Sequence, residues 1–358
     1  CDPDASALGN QGFIIQTTRQ QLSITGKKPI GVLYGVYEFL ENYLGCRWLA
    51  PYPDCEFIPE SKTIAIDSGI KDLQNPAYEE RNPLPTGGNA GGGKGARDTW
   101  NWTVRNKMQI IVPEIHYKAH YDFLRARGAV VRAGGHTTFT AAVPDRKYFE
   151  SNPEYFCLVD GKRVMQKPPT VEDPDGGHTF AQVCTTHPDV IRLCSEYIID
   201  FFDKYPEGIY LLGGGDGNAK WCECENCRKL DPPGSTSVST RFAVFANAVT
   251  ESVLKEKPSA NMQIWAYSIY RDPPVGVKLH PHLTVSFCPH GRSYKDTLDN
   301  PDCQVNVKYQ KLFEDWQQQA DRLIMREYVG CGYPSCHPSW DTLAADLRTF
   351  HKTGKVIG

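Results

Sequence analysis

Ile209-Tyr210-Leu211-Leu212-Gly213-Gly214-Gly215-Asp216-Gly217-Asn218 is a short apolar run that ends abruptly in glycine and then in a carboxylate. Four consecutive apolar residues bounded by turn residues read as a strand buried on both faces. The flanking stretches Asp189–Lys204 and Thr240–Glu256 read as helices. A doubly buried strand between two helices is the repeating unit of a parallel α/β sheet.

The same alternation extends in both directions. Further apolar runs lie at Tyr78–Leu84, Met108–Val112, Ala129–Arg132, Met262–Tyr267, Leu283–Phe287, Leu323–Tyr328 and Lys355–Ile357, and helical stretches at Trp100–Lys107, Tyr117–Arg127, Tyr309–Ala320 and Trp340–Thr353. Eight strands with helical crossovers predict a (β/α)8 TIM-type barrel in an α/β protein, with a doubly wound open sheet as the alternative. The chain stops at Gly358 as the eighth strand begins, so the expectation is a fragment or a barrel finished differently. Cys1-Asp2-Pro3-Asp4 does not resemble a signal peptide and reads as a chain entered partway.

Residues 1–67 read as a separate, small α+β domain, leaving 68–358 to the barrel. Gly12–Thr17 and Gln21–Thr25 predict two strands around a turn. Val32, Leu33, Val36, Phe39, Leu40 and Tyr43 predict a helix from Pro29 to Leu44, and Thr63–Asp67 a third strand. Between the domains, Gly87, Gly88, Gly91, Gly92, Gly93 and Gly95 form a loop that reads equally as a lid or as plain surface.

A net charge of -3 with interspersed signs gives no basic field, which argues against nucleic acid and anionic membrane surfaces as partners, and no apolar run is long enough to span a bilayer. Thirteen cysteines fit either an oxidising compartment with a few bridges or one small metal site plus buried thiols. Aromatic residues make up 11% of the chain, and ring faces of this kind stack on pyranoses, although packing accounts for most of them.

Barrel enzymes carry their chemistry where the strands end. The carboxylates found there are Asp216 and Glu327. Glycoside hydrolysis uses such a pair, one as acid and one as base or nucleophile. The glycines before Asp216 leave room for substrate to approach the backbone, while the plainer reading is a tight turn with Asp216 as a helix cap. Glu327 sits in an apolar strand, and strand alternation turns Arg326 to the opposite face. It therefore needs a partner elsewhere, either in a structural ion pair or at a site. His136, Trp265, Tyr267, His290, Arg292 and Tyr328 follow the same strand ends, and Arg81 lies in the first expected strand; all are candidates for binding sugar hydroxyls, carboxylates or ring faces. Cys222, Cys224 and Cys227 have metal-like spacing, and Cys184 or Cys194 would supply a fourth ligand. A disulfide or structural metal organising the loop after Asp216 is favoured over catalysis. Asn101-Trp102-Thr103 fits a glycosylation sequon but lies in an expected helix. No cofactor motif is present: Gly213–Gly215 lacks dinucleotide spacing.

Gly31-Val32-Leu33-Tyr34-Gly35-Val36-Tyr37-Glu38-Phe39-Leu40 with Gly45-Cys46-Arg47-Trp48-Leu49-Ala50-Pro51 resembles the N-terminal α/β domain that precedes the barrel in family 67 α-glucuronidases and family 20 hexosaminidases. Asn152–Phe156, Cys222–Cys227 and Arg326–Tyr328 resemble an uncharacterised bacterial domain family found beside those enzymes in polysaccharide degraders. The resemblance implies a secreted or periplasmic glycoside hydrolase acting on a complex polysaccharide or glycan, with Asp216 as acid or substrate-orienting group. Gly217 stands where hexosaminidases have the Glu of an Asp-Glu pair, which counts against their acetamido-assisted mechanism. The α-glucuronidase pattern, an acid after strand four with carboxylates on later strands, suits Asp216 with Glu327 better. The rival expectations are a non-catalytic carbohydrate-binding barrel and a metal-dependent hydrolase built on Cys222–Cys227. Sugar, linkage and oligomeric state are not readable.

Overall fold

The computed structural model describes residues 5–83, 95–167, 180–214, 219–329 and 339–358. The chain forms two compact units, Cys1–Val131 with Gly358, and Arg132–Ile357.

In the first unit, β1 (Phe13–Thr17) pairs antiparallel with β2 (Leu22–Gly26) and with β3 (Lys71–Gln74), in the order β2-β1-β3. The turn between β1 and β2 is held by Thr18 Oγ1, which accepts from the Gln20 and Gln21 amides. Helix α1 (Pro29–Glu38) starts with proline in its first turn, where no amide donor is needed, and runs on as a π turn over Phe39–Tyr43. Gly35 lets this helix sit close on the sheet: a Cβ there would lie 2.6 Å from Ile24 Cγ2 and 3.2 Å from Phe13 Cβ. The strand expected at Thr63–Asp67 is not formed; the third strand lies further on, at Lys71. The Thr17 hydroxyl donates to the Asp67 carbonyl and the Gly69 amide donates to the Thr17 carbonyl, so the chain is still turning at Asp67–Gly69 and aligns with β1 only after Ile70. Helix α2 (Ala96–Arg105) contains the sequon asparagine, and Asn101 Oδ1 accepts from Arg127 Nε at 2.7 Å.

The α/β sheet is curled and has six strands: β4 (Ile111–Pro113), β5 (Val130–Gly135), β6 (Ile209–Leu212), β7 (Asn261–Ala266), β8 (Thr284–Phe287) and β9 (Leu323–Met325), in the order β9-β8-β7-β6-β5-β4. From β5 to β9 every pairing is parallel, with Ile209 opposite both Arg132 and Asn261, Gln263 opposite Thr284 and Phe287 opposite Met325. Helix α3 (Pro188–Lys204) precedes β6, α4 (Ser239–Glu256) lies between β6 and β7, α5 (Gln304–Gln319) between β8 and β9, and α6 (Trp340–Lys352) follows β9; β7 and β8 are joined through a short 3-10 turn, Ser268–Tyr270. All four residues of β6 are buried, as their unbroken apolar character requires.

The sheet is a half-barrel, and the expected eight regular strands are not present among the described residues. The first expected run, Tyr78–Leu84, forms no strand over residues 78–83; its polar centre and Pro83 suit no ladder, and one bond, from the Gln109 amide to the Arg81 carbonyl, marks its place. The eighth, Lys355–Ile357, is reduced to a parallel bridge between Val356 and Leu323. Leu84 and the glycine loop at 87–93 lie outside the described residues.

Gly134, next to last in β5, has φ +89°, and a Cβ there would lie 2.1 Å from the Leu211 carbonyl oxygen of β6. Gly134→Ala combines a left-handed backbone with a clash against main chain. It is expected to cost at least ~2 kcal/mol, read as a lowered urea midpoint at unchanged slope.

Candidate active site

The strand ends of the half-barrel carry a continuous row of rings. His136, just after β5, lies 4.4 Å (centroid to centroid) from Trp265 on β7 and 5.9 Å from Tyr267. Tyr267 lies 6.5 Å from His290, which follows β8, and His290 lies 5.0 Å from Tyr328, which follows β9. The Arg326 guanidinium sits over the Trp265 ring at 5.5 Å. Parallel strands in register deliver these side chains to one edge of the sheet. Nδ1 of His136 lies 3.2 Å from the Gly214 carbonyl oxygen. A carbonyl only accepts, so in the neutral ring Nδ1 carries the proton and Nε2 is the acceptor.

Glu327 lies two residues past β9. Arg292 Nη1 donates to its Oε1 at 3.2 Å, and the Tyr294 hydroxyl donates to its Oε2 at 2.8 Å. That hydroxyl in turn accepts from the Tyr328 amide at 2.6 Å, which fixes its own proton toward the carboxylate. Arg292 is shared, because its Nη2 also donates to Asp346 on α6. Asp346 is anchored a second time by the Leu298 amide, at 2.8 Å. Burial pushes the Glu327 carboxyl above its ordinary range, and the Arg292 charge and the Tyr294 hydroxyl pull it back. Both oxygens face donors, which favour the ionised form, but burial outweighs them and the net shift is upward.

This geometry answers several sequence expectations. Glu327 has its partner in Arg292, contributed by the loop after β8, and not in the adjacent Arg326. Arg292, expected to bind substrate hydroxyls or carboxylates, has a fully buried side chain and is held by two protein carboxylates. Asp216 lies outside the described residues. The glycines before it have a packing reason: a Cβ on Gly213 would lie 3.0 Å from Trp265, and one on Gly214 3.1 Å from Trp221. Indole rings therefore fill the space that was read as room for substrate at these two positions. Arg81 belongs to the first unit, where it donates to the Tyr78 and Lys107 carbonyls and to Gln11 Oε1 and lies 5.7 Å from the Tyr34 ring. Tyr294 and Asp346 were not anticipated. Tyr294 stands two residues after Arg292 in the loop after β8, within reach of the strand-end rule, whereas nothing local marks Asp346 inside α6.

Cys222, Cys224 and Cys227 come together with Cys184, and their four Sγ atoms all lie within 4.8 Å of one another. Cys194, the other cysteine considered, is buried in α3 and is not part of this group. The ten described cysteines are all free thiols.

Residues 50–357 match the model of a family described as "Domain of unknown function (DUF4838)". The chain belongs to that family. No curated protein matches this DUF4838 chain. Among solved structures it is similar to the Streptomyces plicatus N-acetyl-beta-hexosaminidase in complex with Thio-NAglucal, at 15% identity and TM-score 0.49, over 93% of this chain and 63% of that one. It is also similar to a beta-N-acetylhexosaminidase at 15% identity and TM-score 0.49, over 98% and 77% of the two chains. A third is the Family 89 Glycoside Hydrolase from Clostridium perfringens, at 11% identity and TM-score 0.47, over 88% and 38%. The DUF4838 chain thus spans less than two thirds of the length of the first and third of these proteins. Likenesses this distant say nothing about chemistry, which has to be argued from the site.

Proposed function

We propose that this DUF4838 chain is a glycoside hydrolase in which Glu327 acts as nucleophile or base and Asp216 as acid. The observation that carries the reading is Glu327 itself: a carboxylate at the strand-end face with only 11% of its side chain exposed, with a donor on each oxygen, next to a row of rings. A carboxylate held as an acceptor suits attack on an anomeric carbon, or on a water, better than proton donation. Trp265, Tyr267, His290 and Tyr328 would present ring faces and edges to the sugar, and His136 Nε2 would accept from a hydroxyl. The site would act on a neutral or complex glycan outside the cytoplasm, with no cofactor.

The test is a screen of aryl glycosides and polysaccharides with wild type, Asp216→Asn and Glu327→Gln. Hydrolysis that collapses in both variants while saccharide binding survives supports the reading. Full activity in either variant removes that residue from the chemistry, and binding without turnover by wild type on every substrate leaves a binding barrel. A separation of the two carboxyls of about 5–5.5 Å would predict retention, and about 6.5–9.5 Å inversion.

The Tyr294 hydroxyl lowers the pKa of Glu327. Tyr294→Phe is therefore expected to raise that pKa further and to move the acid limb of the kcat/KM profile to higher pH. An unmoved limb would show that Glu327 does not set it.

A further inference from the structure

The cysteine cluster is separate from the carboxylate site and has a geometry of its own. Cys184 Sγ lies 3.7 Å from Cys224 Sγ and 3.8 Å from Cys227 Sγ. A disulfide requires about 2.05 Å between sulfurs. Four sulfurs at ~2.3 Å from a central ion in a tetrahedron stand ~3.8 Å apart. These two spacings match that geometry, and all four sulfurs lie within 4.8 Å of one another.

Polar groups surround the sulfurs. The Leu158 amide donates to Cys222 Sγ at 3.3 Å, and Arg163 Nη1 approaches the same sulfur at 3.7 Å. The Thr186 hydroxyl lies 3.2 Å from Cys227 Sγ and 3.5 Å from Cys184 Sγ. Donors onto ligand sulfurs orient them and offset their charge. Cys157, the neighbouring thiol, instead donates to the Val183 carbonyl at 3.4 Å and stays outside the four. Three of the thiols come from one short stretch, in which Cys224 precedes the helical turn Glu225–Arg228 and Cys227 lies within it. The fourth precedes α3.

We propose that Cys184, Cys222, Cys224 and Cys227 bind one zinc ion in a closed tetrahedral site. Four thiolates leave no position for water or substrate, so the ion is structural and the chain is not a metal-dependent hydrolase at this cluster. It ties the segment after β6 to the start of α3 and to the ribbon Leu158–Val159/Lys162–Arg163. Through Trp221, adjacent to Cys222, it steadies the indole that packs on Gly214 and lies 5.6 Å from the Tyr270 ring.

The test is elemental analysis of the full chain purified without chelator from zinc-supplemented medium. One zinc per chain is expected, with cobalt exchange giving the intense visible bands of a tetrahedral thiolate site. Cys184→Ser should weaken zinc retention at least about tenfold, within the loss usual for a disturbed metal site, and Cys194→Ala should leave it unchanged. Because a cysteine variant can misfold, the wild-type protein is also titrated with an organomercurial, and zinc release should track modification of four thiols. Zinc-free protein with these cysteines paired or freely alkylated overturns the proposal. So does stoichiometric iron in place of zinc, or zinc that Cys184→Ser does not disturb.

Discussion

Glu327→Gln is expected to lower kcat/KM by roughly 10³-fold, in the middle of the 10²–10⁴ range of a positioned acid–base group, and to leave the fold intact. Glutamine keeps the shape and an acceptor oxygen for Arg292 or Tyr294 but removes the charge. Its effect on stability has a definite sign. Burial raises the pKa of Glu327 in the folded chain, so the folded state favours the protonated carboxyl. That contribution is present below the ordinary carboxylate pKa and is lost as pH rises through the raised one. Glutamine carries no such dependence, so the stability of the variant relative to wild type should rise across that window. Parallel urea titrations through the mildly acidic range measure this. A variant that retains activity ends the catalytic assignment, and one that loses relative stability as pH rises contradicts the burial argument.

Arg292→Leu carries the second large effect, on stability. Arg292 is 5% exposed and Asp346 1%. Removing the guanidinium leaves Asp346 buried with only the Leu298 amide, and takes the Nη1 bond from Glu327. Breaking a buried ion pair from one side costs about 3–5 kcal/mol. For a unit of this size, that is a fall in Tm on the order of 10 °C. Arg292→Lys should recover little, because one ammonium cannot fork to two carboxylates as the planar guanidinium does. Scanning calorimetry of the two variants decides it, and a Lys variant as stable as wild type would show that the fork is not needed.

The sheet was legible where the sequence is locally unambiguous. Ile209–Leu212 and Thr284–Phe287 are doubly buried strands, recognisable by their shortness and flanking turn residues, and the strand-end rule pointed to Glu327 and to His136, Trp265, Tyr267, His290 and Tyr328, whose rings the structure brings to one edge of the sheet. What was not legible depends on distant pairing. Strand alternation excluded Arg326 as the partner of Glu327 but had no means of choosing Arg292, thirty-five residues away, or of seeing that Asp346 in α6 competes for it. The same holds for Cys184 against Cys194, two cysteines ten residues apart of which only the fold brings one to the cluster. The glycines at 213 and 214 were read for openness because indole rings from Trp265 and Trp221 cannot be placed from local sequence. The first and eighth expected strands are absent among the described residues for a further reason: polar or three-residue runs are too short in apolar character to form a ladder of their own beside the six-stranded sheet.

The forked arginine also bears on selectivity among sugars. Arg292 is balanced by Asp346 and Glu327 together, so with both carboxyls ionised this group of three carries a net negative charge. A uronic acid brought to Glu327 would meet that charge with no counter-charge from Arg292, and of the residues in the ring row only Arg326 offers a cation. Acidic glycans should be disfavoured against their neutral counterparts at this position, and that discrimination should weaken as salt is added.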